Sequence, residues 1–128
     1  MRGEALSYLG RHAEAVAALE RNVAAQRSDR PTFSEGILAF VLARAGRHAE
    51  ARALIASMRR RAGGRVPAMG VLGCALELLG DREAGLRVLG DAIRESEAWL
   101  ILYNRTERYD RLRSDPRGAV LLAKLESW

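Results

Sequence analysis

The chain has 128 residues, of which 48% are apolar, 29% charged and only 5% aromatic, and its formal net charge is +5. This length suits one ordinary domain, and the richness in Ala and Leu favours helix over sheet. No stretch is apolar for long enough to span a bilayer, and the first residues do not lead into a secretory signal, so we expect a cytoplasmic protein. One cysteine excludes an internal disulfide, and with two histidines it leaves no Cys/His metal set.

Two identical hexapeptides, GRHAEA, organise the first half of the chain. They occupy positions 10–15 and 46–51, and a divergent third copy, GDREAG, occupies 80–85. Recurrence after 36 and then 34 residues predicts stacked supersecondary units. Apolar residues outside the hexapeptide keep the same register, namely Leu6, Leu42 and Leu76 before the glycine and Leu19, Ile55 and Leu89 after it.

The second unit shows two helical patterns most clearly. Apolar residues recur at i, i+3, i+4, i+7 spacing before the glycine (Leu38, Val41, Leu42, Ala45) and after it (Ala51, Leu54, Ile55, Met58). Two amphipathic helices are therefore predicted on either side of Gly46, which supplies the left-handed conformation that ends the first helix. The small residue Ala51 lets the second helix approach the first closely.

This pattern resembles the tetratricopeptide repeat family, whose unit is a helix-turn-helix of about 34 residues. The resemblance is carried by Leu38, Ala39, Leu42, Gly46 and Ala51 in one unit, and by Leu72, Gly73, Leu76, Gly80 and Ala92 in the next. It implies an all-α fold, an α-solenoid of about two and a half to three stacked antiparallel helix pairs. We expect one domain, 1–128, with repeats at approximately 1–30, 31–65 and 66–97 and a C-terminal cap at 98–128.

The third unit differs from the family pattern at Gly85, which stands where the family has a small residue after the turn. A glycine at this position is expected to lower the stability of the helix.

In the tail, an apolar segment begins at Trp99, and Asp115 followed by Pro116 predicts the N-cap and first residue of a short helix. That helix carries Val120, Leu121, Leu122 and Leu125, and we expect it to cover the apolar face of the last helix pair.

The decapeptide RYDRLRSDPR at 108–117 points to one group of proteins within the tetratricopeptide family. It is similar to the C-terminal end of tetratricopeptide regions in bacterial transcriptional regulators, serine/threonine kinases and nucleotide cyclases, although Gly118 replaces the aromatic residue that usually follows. The resemblance implies a sensing or partner-binding region.

The polar residues of the repeats have no convergent partners in the sequence. His12 and His48 occupy equivalent positions, which lie about one helix-packing distance, ~10 Å, apart in a stack, so we interpret them as packing residues. Cys74 has no base nearby on its helix and is interpreted as a small buried or groove-facing residue. The acids that follow each turn, Glu14, Glu50 and Glu83, are expected to face solvent near helix N-termini. No enzyme, cofactor or metal is predicted.

The densest basic run is Arg59, Arg60 and Arg61, with Arg65 close behind. It lies at the end of a predicted helix, where cations interact favourably with the macrodipole. Interleaved aromatics, which single-stranded nucleic acid sites use, are missing from the run. We therefore favour a helix-terminal role over a nucleic-acid contact, although the sequence pI of about 10.3 keeps the second alternative open.

Family geometry implies a concave surface lined by the first helix of each pair. The groove residues it assigns are Glu4, Ser7 and Tyr8 in the first unit, Phe33, Ile37, Phe40 and Arg44 in the second, and Cys74, Glu77 and Leu78 in the third. Exposed aromatics beside an arginine suit a peptide-binding groove. The alternative is that the two phenylalanines pack against the preceding helix. A clamp for a terminal carboxylate is not expected, because the facing positions hold Ile37 and Val71.

We expect a non-enzymatic protein-protein interaction module in a bacterial regulatory protein, bound to a protein or peptide partner. The truncated first repeat predicts an open N-terminal edge, which another copy of the chain or an upstream segment would cover. The alternative is an RNA-binding helical repeat of the pentatricopeptide type, suggested by Gly46, Ala51, Met58 and Gly63. Three such units would read only about three bases, which makes nucleic acid the less favoured partner.

Overall fold

The structure is a computed structural model that describes residues 6–7, 10–26, 28–95 and 107–126. Within these ranges there are helices, turns and irregular segments but no strand, so the all-α prediction is confirmed. The helices are α1 (His12–Gln26), α2 (Phe33–Arg44), α3 (His48–Arg61), α4 (Gly70–Leu78), α5 (Arg82–Arg94), a 3₁₀ helix (Glu107–Tyr109), α6 (Asp110–Arg113) and α7 (Pro116–Glu126). None of the helices in the described part of the chain is long and apolar enough to cross a membrane.

Two compact units divide the chain, Met1–Pro67 and Ala68–Trp128. The division lies close to the predicted boundary between the second and third repeats, at 65/66. The single domain of 1–128 stays a prediction.

In the first unit, α2 is the central helix, packed against both α1 and α3. Every residue from Ser34 to Ala43 is buried, so this helix has no solvent face along most of its length. Its start is fixed by a capping box, in which the Thr32 hydroxyl accepts the backbone N–H of Glu35 at 3.2 Å and the Glu35 carboxylate accepts that of Thr32 at 3.1 Å. A polar residue pair thus sets the point at which the buried helix begins.

The three glycine turns have one geometry. Gly10, Gly46 and Gly80 have φ angles of 80°, 80° and 91°, the left-handed conformation predicted for this position. In each turn the backbone N–H of the residue after the glycine donates to the carbonyl of the leucine four residues before the glycine, at 2.9 to 3.0 Å. These carbonyls belong to Leu6, Leu42 and Leu76, and the glycine N–H closes the inner bond of a Schellman motif. The leucine register found in the sequence is therefore also a hydrogen-bonding register.

In the second unit, α4 and α5 form the most closely packed pair. A Cβ atom added to Gly73 would lie 2.7 Å from the carbonyl oxygen of Gly85, and one added to Gly85 would lie 2.6 Å from that of Gly73. Gly85 was expected only to weaken its helix. The structure shows that it also permits backbone contact between the two helices, which an alanine would prevent.

The C-terminal helices pack on this pair through buried Tyr109, Leu112 and Leu122. The predicted cap of α7 is confirmed, because Pro116 is its first residue and the Asp115 carboxylate accepts the backbone N–H of Arg117 at 2.9 Å. Gly118 is buried, and a Cβ there would collide with the carbonyl oxygen of Leu112, so no aromatic residue fits at this position. Trp99 lies outside the described residues.

Candidate partner surface and buried ion pairs

The predicted groove residues divide into buried and partly exposed sets. Ser7, Ile37, Phe40, Cys74 and Glu77 are buried, which agrees with the packing alternative for Phe40 and with the interpretation of Cys74 as a buried residue. Phe33, Arg44 and Leu78 are half-buried, and Glu4 and Tyr8 lie outside the described residues. The groove as a whole stays a prediction.

On α2 the predicted groove residues form one stripe. Phe33, Ile37, Phe40 and Arg44 follow helical spacing, and the stripe is buried in its middle and partly exposed at its two ends. A ligand would therefore meet α2 first at Phe33 or Arg44. The N-terminal edge expected to be open involves residues 1–5, which the structure does not describe.

The packing interpretation of the histidines is wrong for His48, whose side chain is exposed. The reason is its position in the first turn of α3, because residues 46–50 are all exposed and the buried face of this helix begins at Ala51. His12 is half-buried, with Nδ1 3.3 Å from the hydroxyl oxygen of buried Ser7. No group of three or more His, Cys, Asp or Glu residues suited to a metal ion occurs among the described residues.

The repeated hexapeptide holds an ion pair that sequence reasoning missed. In both copies the arginine donates through Nε and Nη2 to the two oxygens of the glutamate three residues later, at 2.9 and 2.5 Å for Arg11 and Glu14, and at 2.7 and 2.6 Å for Arg47 and Glu50. Both pairs are exposed, so each adds little stability. The predicted solvent exposure of Glu14, Glu50 and Glu83 is confirmed.

A third arginine-glutamate pair of the first unit is partly buried. Arg61, in the last turn of α3, donates through Nη1 to Oε1 of Glu35 at 3.0 Å and through Nη2 to its other oxygen. Nη1 of Arg61 also donates to the carbonyl of Ser28 at 3.4 Å. Burial raises the pKa of Glu35, but the hydrogen bonds from Arg61 and Thr32 outweigh it and leave the pKa below its usual value. Arg61 thus joins the end of α3 to the loop before α2.

The rest of the basic run lies where the sequence predicted, in the last turn of α3. Arg59 Nε donates to the carbonyl of Gly64 at 2.7 Å, and Arg60 is exposed. The segment that follows turns back through Gly63 and Gly64, which have φ angles of 85° and 98°. Arg59 and Arg60 are therefore exposed cations, whereas the charge of Arg61 is compensated by Glu35.

A pocket of about 410 Å³ lies beside this turn, lined by Arg30, Pro31, Arg61, Ala62 and Pro67. It forms because Arg61 brings the loop before α2 against the segment after α3. The sign of this pocket in the sequence is a proline shortly before each of two helices, with an arginine one or two residues before the proline.

In the second unit, Glu77 is a buried anchor. Its side chain is 3% exposed and receives Arg82 Nη2 at 3.1 Å and Arg111 Nε at 2.5 Å. Burial raises the pKa of Glu77, but the hydrogen bonds from Arg111 and Arg82 outweigh it and hold the pKa below its usual value. Since Arg111 lies on α6, this carboxylate ties the C-terminal helices to α4.

Asp115 and Arg117 extend this network to α5. Arg82 Nη1 lies 3.6 Å from Asp115 Oδ2, and Arg117 donates to Asp115 at 3.1 Å and to Glu83 at 2.6 Å. The hydrogen bonds from the side chain and backbone of Arg117 lower the pKa of Asp115. Two arginines of the RYDRLRSDPR decapeptide, Arg111 and Arg117, therefore bind carboxylates on α4 and α5.

Comparison with known proteins returned no match: no protein-family model, curated protein or solved structure corresponds to this chain. What supports a function is therefore the geometry of the chain itself.

Proposed function

We propose that the chain is a non-enzymatic protein-interaction module, the partner-binding region of a cytoplasmic bacterial regulatory protein. In this proposal its helix pairs stack as a tetratricopeptide-like α-solenoid with α7 as the terminal cap. A stack of this kind offers a concave surface to a peptide or protein and needs no catalytic residues.

The observation that carries the proposal is the threefold recurrence of one turn. Three glycines at spacings of 36 and 34 residues close the same Schellman motif onto leucines in the same register. A repeated structural unit that cannot bury its apolar face alone supports a stacked array.

The acidic residues support a scaffold over an enzyme. The buried carboxylates of the described chain are Glu35, Glu77 and Asp115, and each is held by at least one arginine. In all three the pKa lies below its usual value, so these carboxylates stay ionised and are poor general acids near neutral pH. Their geometry suits the joining of helices.

Affinity capture followed by reconstitution tests this function. The wild-type chain is used to isolate binding proteins from a lysate, and each is then purified and titrated against the wild type and against Phe33→Ala/Arg44→Ala. We expect direct binding of at least one purified protein, weakened in the double variant because both residues lie at the exposed ends of the α2 stripe. Arg87→Ala, at an exposed position on α5, is the matched control.

The RNA-binding alternative gives the contrary result. Retention of RNA in place of protein, with an affinity that falls steeply as salt is added, would replace the proposed function. Absence of both a purified protein partner and RNA binding at low salt would reject both functions.

A further inference from the structure

The pocket in the first unit is lined by both apolar and basic side chains. Pro31, Ala62 and Pro67 contribute apolar surface, and Arg30 and Arg61 contribute guanidinium groups. A concave site with apolar walls and a few polar groups is the usual form of a ligand site. At about 410 Å³ the space suits one or two side chains of a peptide.

The charge around this pocket is unbalanced. The loop before α2 and the end of α3 with its following turn carry Arg30, Arg59, Arg60, Arg61 and Arg65, against the carboxylates Asp29 and Glu35. Because Arg61 binds both oxygens of Glu35, these two charges compensate each other, and Arg30 is the other arginine that lines the pocket.

The macrodipole of α3 explains the cations at the end of that helix but not the position of Arg30. Arg59, Arg60 and Arg61 lie in the last turn of α3, where the macrodipole favours cations. Arg30 lies in an exposed position of the loop before α2, so the macrodipole of α3 does not account for it. A cation placed beside an apolar pocket complements an anionic group carried next to an apolar one.

We infer that this pocket binds an acidic segment of the partner protein, with a Glu or Asp carboxylate at Arg30 and a neighbouring aliphatic side chain against Pro31, Ala62 and Pro67. The inference rests on the proposed function, since it names the chemistry of the partner. A nucleic acid fits less well, because sites for single strands add aromatic stacking platforms and none of the described residues that line this pocket is aromatic.

Fluorescence polarisation with a labelled peptide of alternating Glu and Leu tests the inference at low ionic strength. The comparison ligands are the same peptide with Gln in place of Glu and a labelled oligouridylate. The variants are Arg30→Glu and Arg30→Lys, and the matched control is Arg87→Glu, which makes the same change in net charge at an exposed position on α5. Circular dichroism verifies that each variant keeps the helix content of the wild type.

We expect the Glu-Leu peptide to bind more tightly than the Gln-Leu peptide, with Arg30→Glu weakening it roughly tenfold while Arg30→Lys and Arg87→Glu stay within about twofold of the wild type. Equal weakening by Arg30→Glu and Arg87→Glu would overturn the inference, because net charge alone would then explain binding. Equal binding of the two peptides, or tighter binding of the oligouridylate, would overturn it as well.

The proposed function can fail separately. If a purified partner binds the wild type and Arg30→Glu equally, the pocket inference is overturned and the interaction module stands. If the Glu-Leu peptide depends on Arg30 as described but no purified protein binds the chain, the acidic-segment site is supported and the proposed function fails.

Discussion

Glu77→Ala tests whether the C-terminal helices are held to α4 by one buried carboxylate. The wild-type side chain is 3% exposed and accepts hydrogen bonds from Arg82 and from Arg111, the second of which comes from α6. The substitution removes both charge-assisted bonds and leaves a small cavity beneath the two guanidinium groups.

The magnitude follows from the exposure of the partners. Charge-assisted hydrogen bonds contribute about 1.5 to 3 kcal/mol each, but Arg82 and Arg111 are 44% and 64% exposed and regain hydration when the carboxylate is lost. We therefore expect a loss of about 2 kcal/mol in the free energy of unfolding, below the value for breaking a fully buried pair. With a typical slope, the urea midpoint would fall by about 1 M.

Urea denaturation at neutral pH, followed by circular dichroism, measures this change. Glu83→Ala is the matched control, because it removes the same charge from a side chain that is 72% exposed and paired with Arg117. The control should leave the midpoint unchanged. Equal midpoints for Glu77→Ala and Glu83→Ala would refute the assignment of Glu77 as an anchor.

Other predictions concern glycines and pH. Gly73→Ala should lower the free energy of unfolding by about 1 to 3 kcal/mol, because its Cβ would meet a backbone oxygen of α5. The control Gly90→Ala should be neutral or slightly stabilising, because its Cβ would meet only the flexible tip of an arginine side chain at 3.3 Å. Urea denaturation midpoints compare the two variants, and equal losses would contradict the close approach of α4 and α5. Gly46→Ala places a Cβ at φ 80° and should cost about 1 kcal/mol in the same assay; an unchanged midpoint would show that the turn tolerates other conformations. Because the pKa values of Glu35 and Glu77 lie below the ordinary 4.5, their ion pairs stabilise the fold above that pH and lose this effect as pH falls through the lowered values. The urea midpoint of the wild type should therefore drop in acid, and that of Glu77→Gln should drop less. Identical pH dependence of the two proteins would contradict the assignment of Glu77 as an ionised, ion-paired residue.

The features that could be predicted from the sequence are local. Gly46 and its counterparts were identifiable because a Schellman motif spans only six residues and recurs with the same leucine. Asp115 and Pro116 were identifiable for the same reason, since a helix N-cap is decided by adjacent residues. The helix periodicity of the second unit likewise lies within a few turns.

The features that were missed depend on residues far apart in the chain. Glu35 and Arg61 are 26 residues apart, and Glu77 and Arg111 are 34 apart, so their pairing follows only from the packing of whole helices. The tetratricopeptide resemblance implies a groove position for Glu77, and nothing in the sequence near Glu77 indicates its pairing with Arg111. The pocket at Pro31 and Pro67 likewise requires two loops to meet.

Spacing also misled the interpretation of His48. Its equivalence to His12 suggested a shared packing role, but packing depends on where the buried face of a helix begins, and in α3 that is Ala51. The residues shared by the two hexapeptides instead form a glycine turn and an exposed arginine-glutamate pair.

The most direct test of the interaction module is the binding of a purified partner, measured by calorimetry against the wild type and Phe33→Ala/Arg44→Ala. The account predicts saturable binding of a protein to the wild type, weakened in the double variant and unchanged in Arg87→Ala. Failure of every captured protein to bind in purified form, or equal binding by the wild type and the double variant, would contradict it.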